Sequence, residues 1–174
     1  MRISGRQVVA ALGLPRVLIV ALSMIVGGDC TLMSFPTGER SDASPRTSEI
    51  MKRRLRRSCG PVALKLVFEH YGIQRSLDEI TARVAPGVRG SSMLTLKNVA
   101  EENGFLVEGW KLGFDDLRNI PYPAIAYVCG NHFIVLDSVT YDGNVYFRDA
   151  RGATRMTRGE FLRDWKGETL VLRK

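Results

Sequence analysis

The spacing of hydrophobic residues divides the chain into a helical part and a later strand-rich part. Between residues 59 and 104 apolar side chains recur every three or four positions, which is typical of helices with one buried face. Gly72 is a natural helix end, and Ser76-Leu77-Asp78-Glu79 forms a capping box that opens another helix. The pattern predicts helices over 59–71, 76–84 and 91–103, with a loop at 86–90.

Strand patterns dominate from residue 105 onwards. Runs rich in β-branched and aromatic residues predict strands at 105–110, 124–128, 132–140, 145–148 and 169–172. A short helix is predicted at 114–119, and a second capping box, Thr157 to Glu160, opens a last helix that carries Trp165. Asp142-Gly143 is a typical hairpin turn, so the strands on either side of it should be neighbours. Helices followed by an antiparallel sheet predict an α+β fold.

Composition limits the chain to one domain with a real core, since it has 174 residues of which 45% are hydrophobic. The formal net charge of +7 is concentrated, because five cations lie at Lys52, Arg53, Arg54, Arg56 and Arg57. No aromatic residues interleave with this run and no recognition motif follows it, which argues against nucleic-acid binding. We expect the run, Lys52–Arg57, to meet anionic lipid headgroups or an acidic partner surface.

The first thirty residues have the pattern of a targeting segment. Arginines precede the apolar run Val17–Val26, which is too short for an ordinary membrane span. A cleaved signal, a retained membrane anchor and lipidation at Cys30 all remain open. Residues 31–50 are polar and predict a flexible tether, which leaves 51–174 as the domain. We expect an exported or membrane-anchored protein of the bacterial periplasm or cell envelope.

Ser58-Cys59-Gly60-Pro61 is the stretch that carries chemistry. With Ser58 as N-cap and Pro61 in the first turn, it predicts a cysteine at a helix start, where backbone N–H groups favour a thiolate. The simpler alternative is a buried structural cysteine. A Cys59–Cys129 disulfide is a further alternative, because three cysteines leave at least one unpaired in a monomer.

A base for this thiol follows by elimination between the two histidines. His70 is eleven residues beyond Cys59 on the same predicted helix, about 16 Å along its axis, so His132 remains. Asp149, at the end of the next strand, is the best candidate to orient the imidazole, although it could be a simple turn residue. The chain order Cys59, His132, Asp149, with the nucleophile on a helix and its partners on a sheet, is the papain-like arrangement.

Several ordered segments make residues 51–174 similar to the bacteriocin-processing, double-glycine leader cysteine peptidases, the thirty-ninth family of cysteine peptidases. They are Ser58 to Leu64, Tyr71 to Ile73, Gly90 to Ser92, Gly104-Phe105, Pro123 to Ala126, Asn131 to Leu136 and Asp149 to Gly152. The resemblance implies a papain-like fold and catalysis by Cys59, His132 and Asp149, with neither metal nor cofactor.

The resemblance also implies a substrate and partners. It implies cleavage of leader peptides after Gly-Gly by thiol acyl transfer, and export through an ABC transporter, which we expect to be a separate chain because no Walker motif is present. The chain's own Gly27-Gly28 is a conceivable self-processing site.

Members of the family usually carry a glutamine oxyanion donor six residues before the cysteine, and here that position is Arg53. An inactive domain that binds leader or unfolded peptides is therefore the alternative function, and another thiol acyl transfer would use the same residues.

Overall fold

Helices come first and an antiparallel sheet follows. The structure, a computed structural model, describes the backbone of residues 45–174 and the side chains of residues 58–174. Its helices are α1 (Pro45–His70), α2 (Leu77–Val84), α3 (Met93–Glu102) and α4 (Arg158–Asp164), with a 3-10 helix at Asp115–Asn119. Its strands are β1 (Leu106–Lys111), β2 (Ala124–Val128), β3 (His132–Val139), β4 (Val145–Asp149), β5 (Gly152–Met156) and β6 (Trp165–Arg173).

Three of the predicted helix boundaries are confirmed. Ser76 caps α2 by accepting the Glu79 N–H at 3.2 Å, and the Glu79 carboxylate accepts the Ser76 N–H at 3.0 Å. The same reciprocal pair, Thr157 and Glu160, opens α4. At the end of α1, Gly72 adopts a φ of +73°, a left-handed conformation that glycine takes without steric cost.

The six strands form one antiparallel sheet in the order β1-β6-β2-β3-β4-β5. β3 and β4 are joined through the Asp142-Gly143 turn, as predicted, and pair with Val135 opposite Arg148. An antiparallel pair brings the start of one strand to the end of the other. The first residue of β3 and the last of β4 therefore meet at the same end of the sheet.

Both faces of this sheet are buried, in two clusters. Along β3, Phe133 and Val135 join the cluster with α1, α2 and α3, whereas Ile134 and Leu136 join the opposite cluster with Phe161 of α4. A strand buried on both faces has a continuous hydrophobic sequence, which explains the unbroken run from Phe133 to Leu136. Packing of α1 across β3 fixes the helix that carries Cys59 against the strand that begins at His132.

The structure differs from the predicted elements in three places. α1 begins at Pro45, so the last residues of the expected tether, 45–50, are helical. β5 (Gly152–Met156) was not predicted, because it is an exposed edge strand with little β-branched sequence and is specified by its pairing with β4. Trp165 begins β6 and does not belong to the last helix.

Candidate active site

Cys59 lies inside α1, fourteen residues after the helix begins at Pro45. The prediction that Ser58 caps a helix starting at Cys59 is wrong. The segment before it is rich in lysine and arginine, which are good helix formers, and these residues extend the helix through Ser58. Pro61 is therefore inside the helix, where it has no N–H for the carbonyl four residues earlier.

This position removes the helix start that was expected to favour a thiolate at Cys59. The N–H of Cys59 is directed along a continuous helix, so it is not one of the orphan donors found at a helix start. Neither the helix dipole nor this N–H can then be used to explain thiolate formation or to bind an oxyanion. Any activation of Cys59 must then come from side chains that face it.

His132 and Asp149 occupy the strand ends that the β3–β4 pairing brings together. His132 Nε2 lies 3.1 Å from Asp149 Oδ2, a hydrogen-bond distance. The Asp149 side chain is only 3% exposed and that of His132 is 18% exposed. Asp149 is thus a buried carboxylate against an imidazole that still reaches the surface, which is the geometry of an orienting group.

The second partner of His132 is Cys59. The two side chains are hydrogen-bonded, and since Nε2 faces Asp149, Nδ1 is the ring nitrogen left for the thiol. Burial alone would lower the pKa of His132, but the hydrogen bonds to Asp149 and Cys59 outweigh it and raise the pKa to about 9. An imidazolium at neutral pH favours a negatively charged sulfur beside it.

Hydrogen bonds from two residues keep Asp149 ionised. Burial would raise its pKa, but hydrogen bonds from His132 and from Arg151 hold the pKa well below the usual range of a carboxyl group. The backbone N–H of Arg151 also donates to Asp149 Oδ1 at 2.8 Å. This contact, from a residue two positions on, is an Asx turn, so the carboxylate of Asp149 both makes the turn and contacts His132.

The turn before β3 sets where His132 stands. Cys129 and Gly130 both have positive φ values, 55° and 64°. The left-handed conformation costs a non-glycine residue such as Cys129 roughly 1–2 kcal/mol, and the hydrogen bond from Tyr127 Oη to the Gly130 carbonyl braces the turn. Cys59 is not in a disulfide, so the alternative of a Cys59–Cys129 bridge is wrong.

A cleft of about 1110 Å³ lies beside these residues. One wall is the loop at 87–93, and the other comes from Tyr127, Phe133 and the β2–β3 turn. An added Cβ at Gly60, the residue after Cys59, would lie 2.5 Å from Ser91 Oγ, so the loop wall packs directly against the backbone next to Cys59. Burial, with the charges on Cys59 and Glu168, raises the pKa of Tyr127, which places this phenol near the thiol.

Several predicted features fall outside this geometry. His70 is exposed at the end of α1 and packs edge-on against Tyr71, as expected for a residue without a catalytic role. Arg53 lies on α1 about 9 Å before Cys59 along the axis. The side chains of Arg53 and of the run Lys52–Arg57 lie outside the described residues, and so do the targeting segment, Gly27-Gly28 and Cys30.

The described residues offer no group of three or more His, Cys, Asp or Glu side chains arranged to hold a metal ion. None of the helices within that part of the chain is long and apolar enough to cross a membrane.

Two residues near the site were missed by sequence reasoning. Arg151 was named only within a motif, although an arginine two residues after a turn-forming aspartate is placed to fold back onto it. Tyr127 was seen only as part of a strand, and its strand gave no signal that the phenol lies near the thiol.

A comparison with protein families matches residues 47–174 to the peptidase C39 family. A Lactococcus lactis relative, described as a lactococcin transport/processing ATP-binding protein, is 28% identical over 66% of this chain and 17% of its own length. An uncharacterised protein of Methanothermobacter marburgensis is 30% identical over 67% of this chain and 82% of its own. The chain thus spans less than a fifth of the transport protein that it matches.

A solved structure supports the same assignment. It is described as a double glycine motif protease from an AMS/PCAT transporter in complex with the leader peptide. The two share 25% sequence identity, a TM-score of 0.63, and coverage of 66% of this chain and 83% of the other. The papain-like arrangement predicted from the chain order is therefore confirmed at the level of the fold.

Replacing Asp149 by asparagine should lower the pKa of His132 from about 9, because the charged acceptor is lost while burial and the hydrogen bond to Cys59 remain. The raised pKa stabilises the fold fully below about pH 6.5, and this contribution is lost as pH rises through about 9. NMR titration of the two histidine rings measures the shift, with exposed His70 as internal control. An unchanged His132 titration in Asp149→Asn would contradict the assignment of this hydrogen bond.

Proposed function

The chain belongs to the peptidase C39 family of cysteine peptidases, and from this premise we propose that it cleaves a peptide leader after a Gly-Gly pair by thiol acyl transfer. The proposal names Cys59 as nucleophile, His132 as general base and acid, and Asp149 as the residue that orients the imidazole. The observation that carries it is the continuous series of hydrogen bonds from Cys59 through His132 to Asp149.

In the first half of the reaction, the peptide bond is broken. His132 takes the thiol proton of Cys59, and the thiolate attacks the carbonyl carbon of the second glycine to form a tetrahedral oxyanion. His132 then returns the proton to the leaving amine as the C–N bond breaks, which leaves a thioester on Cys59. Asp149 fixes the ring through its hydrogen bond with Nε2, which leaves Nδ1 as the nitrogen that accepts and returns this proton.

In the second half, water releases the leader. His132, neutral again, takes a proton from water, and the hydroxide attacks the thioester carbonyl. Collapse of this second tetrahedral species expels the Cys59 thiolate and frees the leader with a glycine carboxylate at its end. The oxyanion in both halves needs a donor, and since the N–H of Cys59 is directed along α1, we assign that role to Arg53.

A Gly-Gly site fits the narrow approach to Cys59. The Ser91 wall packs on Gly60, and residues without side chains let a substrate backbone come close to the sulfur. Beyond the reacting bond, the cleft offers apolar contacts from Val88, Met93 and Phe133. A second depression beside it, which includes Leu94 and Trp110, extends this apolar surface. We assign this continuous surface to the leader.

We propose that the peptidase serves an ABC transporter that is a separate chain; the resemblance to the transport/processing protein supports the link to transport. Residues 51–174 would be the peptidase domain, tethered by the segment before it. In this proposal residues 1–30 direct the chain to the cell envelope, and the run Lys52–Arg57 meets an anionic membrane surface.

The full chain should cut a synthetic leader peptide after Gly-Gly, as measured by mass spectrometry of the products. Cys59→Ala and His132→Ala should each lower kcat by roughly 10⁴-fold or more, because they remove the nucleophile and the base. His70→Ala is the matched control and should leave the rate unchanged. Cleavage that survives Cys59→Ala, or that ignores replacement of Gly-Gly by Val-Val, would refute the proposal.

A peptide-binding domain without activity is the second candidate, and the observation that favours it is Arg53 in place of the usual glutamine. If Arg53 is the oxyanion donor, Arg53→Ala should lower kcat about 10²-fold at unchanged KM, while Arg54→Ala should not. Steady-state kinetics measures both. A wild-type chain that binds the leader without cutting it, and gains cleavage on Arg53→Gln, would establish the second candidate instead.

A further inference from the structure

Most of the hydrogen bonds to Asp149 come from one residue that the mechanism above does not use. Asp149 Oδ1 accepts the backbone N–H of Arg151 at 2.8 Å. Oδ2 accepts Arg151 Nη2 at 2.8 Å and Nε at 3.2 Å, in addition to His132 Nε2 at 3.1 Å. Arg151 therefore holds both carboxylate oxygens by contacts that do not depend on the imidazole.

The burial of the two partners differs sharply. The Asp149 side chain is 3% exposed, whereas that of Arg151 is 57% exposed. The guanidinium thus reaches from solvent onto a carboxylate that is almost closed off from water. A buried carboxylate without a cationic partner is strongly destabilised and tends to take up a proton.

The reaction cycle changes the charge on the other partner of Asp149. While Cys59 and His132 form an ion pair, the imidazolium balances the carboxylate. After His132 has given its proton to the leaving amine, the ring is neutral and no longer does so. From that step until water is deprotonated, Arg151 is the cation in contact with Asp149.

We propose that Arg151 is a positioning residue that fixes the Asp149 carboxylate and keeps it ionised while His132 is neutral. The inference rests on the proposed function, since it assigns Arg151 a part in that cycle. The ionisable groups that act on Asp149 are His132 from β3 and Arg151 from the β4–β5 turn. Those that act on His132 are Asp149 and, from α1, Cys59.

Arg151 also affects how strongly Asp149 binds His132. Because Arg151 and His132 both donate to Oδ2, the arginine limits how strongly the carboxylate can hold the imidazolium. Removing the guanidinium should therefore make both groups titrate at higher pH. Asp149 would take up a proton more readily, and His132 would release its proton less readily to the leaving amine.

Three variants of the full chain test this. Arg151→Gln keeps the backbone N–H to Oδ1 but removes the cation, and Arg151→Lys keeps the charge without the fork. Arg155→Gln, an exposed arginine on the neighbouring strand β5, is the matched control for the loss of one charge. NMR titration of the Asp149 carboxyl carbon and the His132 ring follows both groups directly.

Arg151→Gln should raise the titration midpoint of Asp149 by about one pH unit or more and move that of His132 upward. It should lower kcat roughly tenfold at unchanged KM, whereas Arg151→Lys should leave the Asp149 midpoint near its wild-type position. Arg155→Gln should leave all of these quantities unchanged.

Titrations in Arg151→Gln that match those in Arg155→Gln would overturn the inference, and so would a loss of activity that lies in KM alone. If the wild-type chain cuts no Gly-Gly peptide, the proposed function fails, and the NMR titrations then decide alone whether Arg151 keeps Asp149 ionised.

Discussion

The hydrogen bond between His132 and Asp149 is the contact on which the rest of the site depends. It joins the first residue of β3 to the last residue of β4, so it exists only because the hairpin pairs in one register. It leaves the other ring nitrogen for Cys59, which α1 delivers by packing across β3. A slip of one residue in that hairpin would turn the side chains of one strand to the opposite face and separate the pair.

Much of this arrangement could be predicted from sequence because its signals are local. The Asp142-Gly143 turn, the two capping boxes and the apolar run that follows His132 each have a short-range physical cause, and each lies where predicted. With only two histidines, one of them at the far end of the helix that bears the cysteine, elimination left His132. The structure then brings Cys59, His132 and Asp149 together.

What could not be predicted depends on contacts between distant parts of the chain or on competing local preferences. Ser58 and Pro61 favour a helix start, but the helix-forming residues before them extend α1 back to Pro45, so Cys59 has the His132 imidazole beside it and not a helix end. β5 could not be predicted from its own residues, because it is a strand only through its pairing with β4. The contact of the exposed Arg151 guanidinium with the buried Asp149 carboxylate also depends on the fold, because burial of Asp149 cannot be read from its sequence neighbours.

The most direct test of this account is the rate of Cys59 alkylation by iodoacetamide as a function of pH, in the wild-type chain and in His132→Ala. If His132 supplies the charge partner, the wild-type thiol should react much faster at pH 6 than the thiol of His132→Ala, because an imidazolium favours a negatively charged sulfur beside it. His132→Ala should lose that reactivity at low pH. Identical pH profiles for the two proteins would contradict the central claim that the imidazole, and not the helix, makes Cys59 a nucleophile.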